Sequence, residues 1–96
     1  MLEKTIERHI VTYAKNKGII SYKFSCPANR SVPDRIFIYP CGTIIFVEFK
    51  SKGKQLSKLQ QFTFDKFKEM SCNIYIIDSV ENGKFVIDHA SNIFNT

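Results

Sequence analysis

Ninety-six residues make one domain with a modest core and leave no length for a second, so a single unit over residues 1–96 is expected to carry the whole function. Hydrophobic residues at 44% with nine Phe exclude intrinsic disorder, and no apolar run reaches the roughly 20 residues of a membrane span. Fourteen Lys and Arg against nine Asp and Glu give a formal charge of +5, which fits a polyanionic partner and an ordinary lysine-rich surface equally well.

Leu2 to about Lys17 sets Leu2, Ile6, Ile10, Val11, Tyr13 and Ala14 at three- and four-residue intervals, the period of one helical face, and Gly18 supplies the stop. Ile19 to Ser25 alternates and is rich in β-branched and aromatic residues, which predicts a strand ending at Cys26-Pro27. Ala28 to Pro33 breaks regular structure and is expected to be a loop that delivers Asp34 to the next strand. Arg35–Tyr39 and Thr43–Lys50 read as a hairpin around Pro40-Cys41-Gly42. Its second strand, IIFVEFK, is apolar on both faces up to Glu48, as in the middle of a covered sheet.

Ser51–Gln55 is a basic connection. Leu56–Met70 then shows helical spacing through Leu59, Phe62, Phe64, Phe67 and Met70, which assigns its Phe residues to the core. Asn73–Asp78 predicts a fourth strand. A turn is expected at Glu81-Asn82-Gly83, a short edge strand over Phe85–Ile87, and a last helical turn near Ala90–Phe94. The order α-β-β-β-α-β implies a mixed sheet flanked by helices. Cys26, Cys41 and Cys72 are odd in number and lack zinc-site spacing, so they are expected to be reduced thiols. With the polar start LEKTIER, this points to a cytoplasmic location.

Asp34 and Glu48 are equally distant in sequence from Cys41 at the turn. Antiparallel pairing therefore sets the two carboxylates opposite each other, or within one residue of it, with side chains about 5 Å apart. Alternation turns Lys50 to the same side as Glu48. Like charges gathered at the end of an apolar strand need compensation, and a divalent cation provides it. Oxygen donors suit Mg²⁺ or Mn²⁺, and the Phe49 carbonyl offers one more. Taken singly, Asp34 after a proline fits a turn and Glu48-Phe49-Lys50 fits an exposed ion pair; the joint placement argues for chemistry. Lys52, Lys54 and Lys58 flank the pair, either as phosphate contacts or as a solvated basic loop. His9 and His89 have no partner motif and fit ordinary surface or half-buried histidines.

The run PDRIFIYPCGTIIFVEFKSKGKQLSKLQ, from Pro33 to Gln60, resembles the PD-(D/E)XK nucleases, and within them the virus-type replication-repair nuclease (VRR-NUC) domain. The resemblance rests on Pro33-Asp34-Arg35, the Gly42 turn, Phe46-Val47-Glu48-Phe49-Lys50, Gly53, and Leu56-Ser57 followed by Gln60. It implies a restriction-endonuclease-like core in which Asp34 and Glu48 bind metal, Lys50 is catalytic and Gln60 borders the site. It also implies a metal-binding acid on the first helix, with Glu3 fitting best and Glu7 in reserve. The chain departs from the family where Ser31 or Val32 stands at a position often held by Gly. The implied activity is Mg²⁺- or Mn²⁺-dependent cleavage of branched or structured DNA, such as a Holliday junction, by a phage-type homodimer. A non-cleaving nucleic-acid-binding module with the same fold is the alternative.

Overall fold

The computed structural model describes residues 1–93. Seven elements follow one another: α1 (Glu3–Asn16), β1 (Ile20–Lys23), β2 (Arg35–Ile38), β3 (Ile44–Phe49), α2 (Lys58–Glu69), β4 (Ile74–Ile77) and α3 (Val80–Ile93). The four strands form one sheet in the order β1-β2-β3-β4. β1, β2 and β3 form an antiparallel meander, whereas β4 returns through α2 to lie parallel to β3. The sheet is therefore mixed, as the strand order predicts.

The amphipathic spacing of α1 buries Ile6, Ile10 and Ala14. Its end is a Schellman motif: Ile19 N–H donates to the Ala14 carbonyl and Gly18 N–H to that of Lys15, with Gly18 at φ 78° where a side chain would be strained. Ile45, Val47 and Phe49 alternate toward the layer of α1 and α3, and all three are buried there with Phe37 and Ile77. On the opposite face Phe46 packs against Phe24 and Phe67, with ring centroids 5.5 and 5.1 Å away. From Ile45 to Val47 this central strand lies between helices on both sides, which is why it is apolar on both faces up to Glu48, while Ile44 at its start is exposed.

Two expectations are corrected. Residues 80–93 form one helix, so there is neither a turn at Glu81-Asn82-Gly83 nor an edge strand at Phe85–Ile87. Gly83 is instead a contact point: a Cβ there would stand 2.5 Å from Ile10 Cδ1 and 2.6 Å from Ile10 Cγ1. Glycine lets α3 lie close against α1, with Ile87 and Ala90 completing the buried stripe. The helical end expected over Ala90–Phe94 runs to Ile93, and Phe94 lies outside the described residues. The second correction concerns α2, where Phe64 is buried but Leu59, Phe62 and Met70 are exposed. Phe62 and Phe64 are two positions apart, about 200° around a helix, and cannot both face the sheet. Among the described residues no helix is long and apolar enough to cross a membrane.

Candidate active site

The β2–β3 ladder pairs Arg35 with Val47 and Phe37 with Ile45. Continued one step, this register sets Asp34 across from Glu48 at the end of the hairpin. Asp34 Oδ2 accepts from the Phe49 backbone N–H at 2.8 Å, which fixes the aspartate against the third strand. Glu48 is 4% exposed, and its Oε1 is buried with no hydrogen-bond partner. An anionic oxygen in that position is costly. Burial first, and then the nearby Asp34 charge, push the Glu48 carboxyl up to about 7, against the opposing pull of Lys50 and Gln60. Asp34 is also raised: burial outweighs its Phe49 hydrogen bond, and the charges of Glu7 and Glu3 add to the effect.

Lys50 shares the Glu48 side of β3, as alternation requires, with Nζ 3.6 Å from Glu48 Oε2. Gln60 links the two. Its Nε2 donates to Glu48 Oε2 at 3.0 Å, while its Oε1 accepts from Lys50 Nζ at 3.0 Å. The amide also belongs to the capping box of α2: Ser57 N–H donates to Gln60 Oε1 at 3.0 Å, and Ser57 Oγ accepts from the Gln60 backbone N–H at 3.1 Å. Local helix-start chemistry thus fixes which way the Gln60 amide points. Sequence reasoning missed this role of Ser57, although the S-x-x-Q spacing of a capping box was present to find it. One turn further along α2, buried Thr63 bonds the hydroxyl of buried Ser31, which in turn donates to Asn29. This polar link ties the loop before Asp34 to the helix that carries Gln60. It also gives Ser31 a task that a glycine cannot perform.

No family model matches the chain. A phage protein, "Putative nuclease p44" of Acyrthosiphon pisum secondary endosymbiont phage 1, is 36% identical over 77 residues, which span 80% of this chain and 83% of the relative. A solved structure described as "VRR_NUC domain" superimposes with a TM-score of 0.85 at 23% identity, covering 91% of this chain and 95% of the other. The superposition gives the fold, and the sequence match extends the relation beyond fold. The chain belongs to the VRR-NUC family.

Within this VRR-NUC chain, α1 brings two acids to the site end of the sheet. Glu7 pairs with Arg35, whose Nε lies 2.5 Å from Glu7 Oε2. Glu3 has no ion-pair partner among the described residues and accepts a hydrogen bond from Ser51 N–H at 3.3 Å, just beyond Lys50. Glu7 acts more strongly on the Asp34 charge, whereas Glu3 has the freer carboxylate. Lys52, Lys54 and Lys58 are exposed on the loop after β3 and the first turn of α2. His9 and His89 are exposed as well, and His89 stacks on Phe85.

Among the described residues no three Asp, Glu, His or Cys side chains converge into a complete metal cage. The donor set nevertheless fits a hard divalent cation of the Mg²⁺ class, which takes a few carboxylates and completes its shell with water and phosphate. The orphaned Glu48 Oε1 beside a second raised carboxyl is the feature such an ion would satisfy.

Proposed function

We propose that this VRR-NUC chain is an Mg²⁺- or Mn²⁺-dependent endonuclease that hydrolyses DNA phosphodiester bonds. The supporting observation is the buried pair of opposed carboxylates with one unsatisfied oxygen, set beside a lysine whose ammonium is held by a glutamine amide. A purely structural pair would be costly there, because repulsion and burial both oppose its charge.

In this reading Asp34 and Glu48 hold the ion, with Glu3 at the rim and the Phe49 main-chain carbonyl as a further donor. Bound there, the cation supplies Lewis acidity toward the phosphoryl oxygens and lowers the pKa of water. Lys50 orients the attacking water and offsets charge that accumulates on the phosphate in the transition state. Gln60 keeps the Lys50 ammonium in place through its carbonyl and anchors Glu48 through its amide N–H. Lys52, Lys54 and Lys58 contribute sequence-independent phosphate contacts.

We assign branched or structured DNA, such as a Holliday junction, as the substrate and a homodimer as the acting form, in the cytoplasm of a host cell. Two-fold symmetry would present two cutting sites to paired strands. The exposed apolar side chains of the β1–β3 face, Ile20, Tyr22 and Ile44, offer a surface for that pairing.

The test compares cleavage of a four-way junction, a linear duplex and a plasmid by wild type and Lys50→Ala, with Mg²⁺, with Mn²⁺ and with chelator. Cation-dependent cutting by wild type is expected, with a loss of about 10²–10³-fold in Lys50→Ala. Equal activity in both proteins sinks the assignment of Lys50. Tight cation-independent binding without cutting favours a non-cleaving module.

A further inference from the structure

An open groove of about 400 Å³ runs between α1 and the β1–β2 edge, walled by Lys4, Arg8, Lys23 and Arg35 around Glu7. Its charge is unbalanced. The carboxylate of Glu7 is taken by Arg35, which also donates from Nη1 to Ser21 Oγ at 3.1 Å. Lys4, Arg8 and Lys23 are exposed, and among the described residues none of them is within ion-pair distance of a carboxylate. Three cations therefore face one groove with no internal counter-charge.

The placement of these cations is specific. Lys4 and Arg8 are one turn apart on α1, hence neighbours on its surface. Lys23 pairs across the ladder with Arg35, which brings it to the opposite wall. Arg35 directly follows Asp34, so the groove begins where the carboxylate pair ends. Lys4 is shared with a second depression lined by Glu3, Ser51 and Lys54. A basic track thus passes from Lys54 across the rim of the carboxylate site to Lys4 and on to Arg8 and Lys23.

We propose that this α1–β1 groove is a second phosphate-binding surface, holding the nucleic-acid backbone that flanks the scissile phosphodiester. The proposal rests on the nuclease reading and extends it, since Lys4, Arg8 and Lys23 are not among the cations suggested by sequence, Lys52, Lys54 and Lys58, of which Lys54 lines the neighbouring depression. Mobile lysines and a surface arginine bind a polyanion through counterion release, without sequence preference, so the groove adds affinity and direction to the substrate path and does not read bases. Glu7 serves here to hold the Arg35 guanidinium in the groove wall.

The experiment measures binding of a labelled duplex, long enough to span both surfaces, by fluorescence anisotropy in chelator across a salt series. Steady-state cleavage with Mn²⁺ follows. The proteins are wild type, Lys4→Ala/Arg8→Ala/Lys23→Ala, the charge-keeping Lys4→Arg/Arg8→Lys/Lys23→Arg, and a control, Lys66→Ala/Lys68→Ala, at the far end of α2. The alanine triple is expected to lower the log–log salt slope by about 2 to 3 and to weaken binding by about tenfold or more. KM should rise with kcat little changed. The charge-keeping triple and the control should match wild type. Single Arg8→Glu and Lys23→Glu variants give the same reading should the triple fail to fold. A wild type that cuts DNA while the alanine triple keeps its slope and affinity overturns the groove alone. A wild type that neither binds nor cuts DNA overturns the nuclease reading and the groove with it.

Discussion

Glu48 bears two opposing demands, because the same burial that makes it a firm donor makes its charge costly. With the folded-state carboxyl at about 7 and its ordinary value at 4.5, the folded protein binds this proton more tightly than the unfolded chain does. The stability it contributes is fully present below pH 4.5 and is lost as pH rises through about 7. Asp34, also raised, acts in the same direction. Melting curves in chelator should therefore show a wild-type midpoint that falls as pH rises through this window, and a smaller fall in Glu48→Gln. Parallel profiles for the two proteins would remove the electrostatic argument for the site. A divalent cation must displace this proton, so Mn²⁺ affinity measured by calorimetry should drop by about tenfold per unit of pH below 7.

Among the elements, α3 and α2 depend on interactions that local patterning does not announce. The contact between α1 and α3 turns on Gly83, where an added Cβ meets the buried Ile10 side chain. Gly83→Ala would gain about 1 kcal/mol of helix propensity but lose about 1–3 kcal/mol to overpacking. A net drop in melting temperature of a few degrees is expected, and Gly83→Ala should cost less in an Ile10→Ala background, which lacks both clashing atoms. A stabilised single variant would show that the two helices can move apart freely. At α2, the capping box connects a helix start to the chemistry, since the Ser57–Gln60 pair that satisfies the first turn also orients the Lys50 partner. The hairpin element was legible in the sequence because its two acids are equidistant from Cys41 and strand periodicity is local. Residues 80–93 were not legible as a helix. Their stripe of Val80, Gly83, Ile87 and Ala90 has helical spacing, but Gly83 supports a turn as readily as a close helix contact, and only the packed partner distinguishes the two.

For the whole molecule, one sheet face is well covered and the other is not. α2 shields Phe46 and Phe24, whereas Ile20 on β1, paired with Ile38, and Ile44 on β3, also paired with Ile38, form an apolar row that remains exposed at both ends. The homodimer proposed above predicts twice the 11.1 kDa chain mass by light scattering at micromolar concentration, and a shift to monomer in Tyr22→Glu/Ile44→Lys with the melting temperature largely kept. A monomeric wild type would end that proposal while leaving the carboxylate site as it is. The charge is likewise organised at this scale: a modest net +5 becomes informative through its clustering around the α1–β1 groove.

The sequence by itself determined the hairpin register, the convergence of Asp34, Glu48 and Lys50 at one sheet end, the central place of β3, and the end of α1 at Gly18, because each follows from a period or a turn within a few residues. Tertiary packing settles that Glu7 is held by Arg35 while Glu3 has no ion-pair partner among the described residues, that Ser31 meets Thr63, that Phe62 faces solvent, and that α3 is a helix lying against Ile10. Those outcomes depend on which faces of separate elements meet. Relative helix placement is set by the fit of many side chains across the core, and no short stretch of chain encodes it.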